Sequence, residues 1–128
     1  MKKIVYFLPA FLWFILSFIL LTLPGDDLPK ASIFDLIYLD KWVHIFLFGM
    51  MAHLLYSGFK KYFPVTSGAY LQVTLYVWLY GIAIEFIQKY LVVKRSFDIT
   101  DIIADGVGCL IAYLIFRRQV KKFVQTAK

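Results

Sequence analysis

The sequence predicts an all-α fold, a four-helix transmembrane bundle with both termini in the cytoplasm and a polar pocket in the outer leaflet. Three observations predict it. The 128 residues are 62% hydrophobic, whereas average soluble domains are about half apolar, and a soluble fold this small could not hide so much apolar surface. Four apolar segments, about Ile4–Leu23, Trp42–Phe59, Tyr70–Leu91 and Ile99–Phe116, each come close to the roughly 20 residues that cross a bilayer. The charges collect between these segments, and their signs differ on the two sides.

The first span follows Lys2 and Lys3, as a signal peptide would. Its apolar run is longer than the roughly 7–15 residues of a signal core, and "LTLPGDD" offers no small-residue cleavage site. It is therefore expected to be a retained helix, ended near Pro24-Gly25. The loop from Pro24 to Leu39 contains "ASIFDLIYL", with Ile33, Leu36, Ile37 and Leu39 near helical spacing. It suits either a short helix lying among the headgroups or an irregular loop. Gly58 and Pro64 to Gly68 mark the turn between the second and third spans. With no internal repeats, residues 1–128 are expected to form a single integral membrane domain.

Basic residues orient the bundle. Lys2, Lys3, Lys60, Lys61, Arg117, Arg118, Lys121 and Lys122 flank one side, against Lys30, Lys41, Lys89, Lys94 and Arg95 on the other. By the positive-inside rule the first side is cytoplasmic. All eight acids (Asp26, Asp27, Asp35, Asp40, Glu85, Asp98, Asp101 and Asp105) lie toward the other side. The net charge of +6, placed at segment ends, points to membrane orientation and anionic headgroups rather than to nucleic acid. The single cysteine, Cys109, rules out an intrachain disulfide and a cysteine-based zinc site, and is expected to be a small packing residue.

The polar residues inside the spans are the ones that need a reason, because a carboxylate at mid-membrane costs roughly 3 kcal/mol on insertion scales. Asp40 and His44 are four apart and share a helix face, as do Glu85 and Gln88, three apart. Asp98, Asp101 and Asp105 stack along one stripe of the fourth span. Glu85 and Asp105 each lie about six residues below the outer end of their span, roughly 9 Å. Three helices thus bring His44, Glu85, Gln88, Asp101 and Asp105 to one level, and ionisable groups within a membrane usually face a bundle interior or a cavity. The expectation is an outward-open polar pocket in which at least one carboxyl keeps its proton near neutral pH unless a cation binds.

Other polar residues have plainer roles. Arg95 either folds over the pocket to pair with Asp101 or an anionic ligand, or snorkels into solvent. Ser96 and Asp98 are placed to cap the fourth helix. His53, half a turn out of phase with His44, is expected to bond a neighbouring backbone, and Gln72 to be interfacial. Gly81, Ala83, Gly106 and Gly108 would let helices approach closely.

The ordered set Asp40, Lys41 and His44, then Glu85 and Gln88, then Arg95, Ser96, Asp101, Asp105 and Gly106 resembles the VanZ-like family over roughly Asp40 to Phe116. One position departs: the family usually has asparagine where this chain has Asp105. The family takes its name from a membrane protein linked to teicoplanin resistance. The resemblance thus implies a multi-pass protein of the bacterial cytoplasmic membrane, set in the cell envelope.

Two functions follow as expectations. In one, the pocket binds an amphiphilic or lipid-linked envelope molecule, or a glycopeptide, among membrane lipids. In the other, the protein is a small membrane enzyme acting on an envelope lipid. His44, Glu85 and Asp101 offer N and O ligands that suit a divalent cation, and His44 with Glu85 could work as an acid–base pair. No H-E-x-x-H motif accompanies them. A third account is a polar network that only locks the helices.

Overall fold

The computed structural model describes residues 4–25, 38–62 and 67–126. Within them are a 3-10 turn, Ile4–Phe7, and four helices: α1 (Leu8–Leu21), α2 (Leu39–Phe59), α3 (Ser67–Leu91) and α4 (Ile99–Thr126). All four are long and apolar enough to cross a membrane, the 3-10 turn included in the first. The segment suspected of forming an interfacial helix, around Ile33 to Ile37, lies outside the described residues.

The helix ends depart from the apolar runs for local reasons. α1 stops at Leu21, where the Thr22 hydroxyl turns back onto the Phe18 carbonyl at 2.7 Å, and Pro24 disfavours helix at the residue before it. α2 starts at Leu39 rather than Trp42. Tyr38 takes a left-handed conformation (φ 49°), and its carbonyl accepts the Lys41 N–H at 3.0 Å. Asp40 and Lys41 are therefore helical, though a hydropathy scan reads them as flank. α4 continues ten residues past Phe116, because the basic run after it ends the membrane span and not the helix.

The chain runs up and down. Phe7 packs edge-on against Phe59, so α1 and α2 are antiparallel. Tyr56 near the end of α2 meets Thr74 near the start of α3 at 2.6 Å. α2 and α4 run parallel and share the most extensive interface: Lys41 meets Asp98, Gly49 meets Gly108, and Tyr56 packs on Phe116. The apolar core contains Leu47, Phe48, Met51, Val77 and Cys109, and closes at the far end with the rings of Tyr56, Tyr70 and Phe116. Cys109 is buried in this packing as expected.

Lipid tails are as apolar as leucine, so helix association rests on close packing and interhelical hydrogen bonds. Both are present. The Trp13 indole N–H donates to the Leu47 carbonyl and the Trp78 indole N–H to the Ile102 carbonyl, each at 2.9 Å. Gly81, Gly106 and Gly108 lie at close helix contacts, whereas Ala83 is exposed. α1, the least buried helix, is held at its end by Gln88, whose Nε2 donates to the Leu21 carbonyl at 2.7 Å.

Candidate functional site

Polar side chains gather at the end of the bundle where α2 and α4 begin. Lys41 and His44 come from the first two turns of α2, Glu85 and Gln88 from the last two of α3, and Asp98, Asp101 and Asp105 from the start of α4. His44, Glu85, Gln88 and Asp105 are each no more than 3% exposed, and Asp101 is 7% exposed. The residues expected to line an open pocket are thus packed into a buried cluster.

Lys41 organises the upper layer. Its ammonium bonds Asp98 at 2.7 Å, Asp40 at 2.9 Å, and Asp101. Asp98 caps α4: its Oδ1 accepts the Thr100 N–H at 2.8 Å, the usual way an N-cap aspartate satisfies an orphan donor of the first turn. The Lys41 hydrogen bond, with the Thr100 hydroxyl beside it, holds the Asp98 carboxyl down at about 2.

The lower layer centres on His44. Its Nδ1 lies 2.8 Å from Asp105 Oδ1 and its Nε2 lies 3.8 Å from Asp101 Oδ2. The second Asp105 oxygen presses against Gly81, where any Cβ would collide with it. Glu85 Oε2 accepts the backbone N–H of Asp98 at 2.8 Å. Glu85 Oε1 and Asp105 Oδ2 are buried and find no hydrogen-bond partner among the described residues. Glu85 and Asp105 pair with no lysine or arginine among the described residues.

The sequence profile of the VanZ/LLP1 family matches residues 1–122. The chain belongs to the VanZ family. No curated protein and no solved structure matches it. Asp40, Lys41, His44, Glu85, Asp101 and Asp105, which carry the sequence resemblance, fall in one cluster fed by three helices. Two others serve the frame. Gln88 holds α1, and Arg95 Nε donates to the Leu23 carbonyl at 3.3 Å rather than pairing with Asp101.

Lys41, a flanking charge by sequence, takes the part expected of Arg95. A signal was present: Lys41 lies three residues before His44, hence on the same helix face. Asp40 stays at the rim, its side chain 57% exposed. His53 is exposed, and its imidazole makes no hydrogen bond among the described residues; its carbonyl accepts from Ser57. Chemically, the VanZ cluster offers an imidazole oriented by a carboxylate, and two further carboxylates beside its free nitrogen. That arrangement suits proton transfer or cation ligation.

Proposed function

We propose that this VanZ-family membrane protein works in the bacterial cytoplasmic membrane with both termini in the cytoplasm. At the acidic end of the bundle it binds an amphiphilic or lipid-linked envelope molecule and so alters susceptibility to glycopeptides such as teicoplanin. One observation carries the proposal: five carboxylates surround one lysine and one histidine, and two buried carboxylate oxygens have no partner among the described residues. A network that only locks helices is expected to satisfy its own members.

An apolar groove supports the amphiphile. It lies between α2 and α4, has a volume of about 270 Å³, and is lined by Ile45, Gly49, Met50, His53, Ile111 and Ile115 among others. Its end at Ile45 is level with His44, so an acyl chain lying there would place a headgroup near the cluster.

Orientation is tested first. Reporter fusions after Lys61 and Lys122 should behave as cytoplasmic, and those near Lys30 and Lys94 as external. A fusion at Lys61 that reads as external overturns the topology.

Site function is tested by substitution. His44→Ala, Glu85→Gln and Asp101→Asn should keep expression and helix content while abolishing the glycopeptide phenotype or ligand binding. His53→Ala and Gln72→Ala, off the cluster, should stay close to wild type in both. If the cluster substitutions lower stability while function per folded molecule persists, the network only locks the helices.

A further inference from the structure

We propose that His44 Nε2, Glu85 and Asp101 hold one divalent cation of the zinc or manganese class, with Asp105 as the residue that positions His44. These three residues each offer a ligand atom, and the atoms lie within 4.8 Å of one another. Tetrahedral zinc with bonds of about 2.0–2.2 Å sets its ligand atoms about 3.3–3.6 Å apart, so side-chain rotations that draw these atoms in by about 1 Å close the site.

The hydrogen bonds already present divide the work among the atoms. With Asp105 ionised, its carboxylate only accepts, so His44 Nδ1 donates across the 2.8 Å contact and a neutral ring presents its Nε2 lone pair toward Asp101 Oδ2. Glu85 supplies the independent sign. Its Oε2 is committed to the Asp98 N–H, while Oε1 is fully buried with no partner among the described residues. A carboxylate behind a ligating histidine fixes the ring and raises its basicity, and Asp105 stands in that place. Gly81 makes room for the Asp105 carboxylate against the α3 backbone.

The donor set selects the metal. One imidazole with two carboxylates favours a transition ion over Mg²⁺ or Ca²⁺, which take oxygen ligands. Lys41 neutralises the Asp98 and Asp101 side of the cluster but does not reach Glu85 or Asp105. Joined to the recognition proposed above, the cation would let an acidic site receive a phosphate-type headgroup, and only this last step rests on that proposal.

The test uses the full chain in detergent, stripped with chelator and dialysed against Zn²⁺, Mn²⁺ or Mg²⁺, with bound metal counted by mass spectrometry. One Zn²⁺ or Mn²⁺ per chain is expected, and no stoichiometric Mg²⁺. Glu85→Gln and Asp101→Asn should lose the metal. Asp105→Asn, whose amide oxygen still accepts from Nδ1, should keep it with affinity lowered roughly 10–100-fold. Should the variants misfold, Co²⁺ added to the wild-type protein decides, because four-coordinate ligation in the site gives d–d absorption bands far more intense than those of the aqueous ion. Absence of those bands, no stoichiometric metal, or equal metal in wild type and Glu85→Gln overturns the site. No lipid is present in these measurements. A metal-free chain whose His44→Ala variant still loses its phenotype would therefore sink the metal site and leave the recognition proposal standing.

Discussion

Lys41→Met is expected to lower the unfolding free energy in detergent micelles by about 3 kcal/mol. Removing one partner of a buried ion pair costs roughly 3–5 kcal/mol, because the other charge stays buried without compensation; partial exposure of Lys41 and Asp98 puts this case at the low end. The loss falls on Asp101, 10% exposed at its side chain and close to His44. The variant should also change the acid limb of stability. With its carboxyl held at about 2 by Lys41, Asp98 contributes fully above its unfolded value of roughly 3.9, and the contribution is lost as pH falls through about 2. Without Lys41 that loss between roughly pH 4 and 2 should shrink. Lys89→Met is the control. Lys89 lies over the rings of Tyr90 and Phe97, and its loss should cost about 1 kcal/mol or less. A Lys41→Met protein as stable as wild type, with an unchanged acid limb, would show that the lysine does not hold the cluster.

Much of the bundle is legible in the chain because a membrane makes each polar residue costly. Depth arithmetic on Glu85 and Asp105 finds their common level, and the capping role of Asp98 follows from its place one residue before Ile99. What escapes is direction. A lysine in the first turn of a helix can point to water or inward, and only the packing of α4 on α2 turns Lys41 toward Asp101. Arg95 fails the opposite way. Lys94 takes a left-handed conformation (φ 57°), and the Gly25 N–H donates to the Val93 carbonyl at 3.1 Å. Both bend the connection toward the end of α1, so Arg95 meets Leu23. Gln88 has the phase to join Glu85, yet the free carbonyl at the end of α1 claims it. The indole bonds of Trp13 and Trp78 to neighbouring backbones depend on helix spacing that no periodicity encodes.

That spacing is tested by Gly108→Val, expected to cost about 2–3 kcal/mol and to disable the cluster without touching it. A Cβ at 108 would run into the Ile45 carbonyl and come within 3.0 Å of the Gly49 nitrogen. These are backbone atoms of α2, which cannot rotate away as a side chain would, so the two helices must part. Overpacking costs typically about 1–3 kcal/mol, and a β-branched residue adds crowding against its own helix. The gain in helix propensity over glycine, below about 1 kcal/mol, offsets only part of this. His44 precedes Ile45 by one residue and Asp105 precedes Gly108 by three, so separation at Gly108 falls first on the 2.8 Å bond between them. The nitrogen chemical shifts of the His44 ring should therefore move along with the unfolding midpoint. Gly68→Ala is the matched control: nothing lies within 4 Å of a Cβ there, and the change should leave stability the same or raise it by under about 1 kcal/mol. If Gly108→Val and Gly68→Ala proved equally stable, with the His44 resonances unmoved, close approach of α2 and α4 would not be what sets the cluster's geometry.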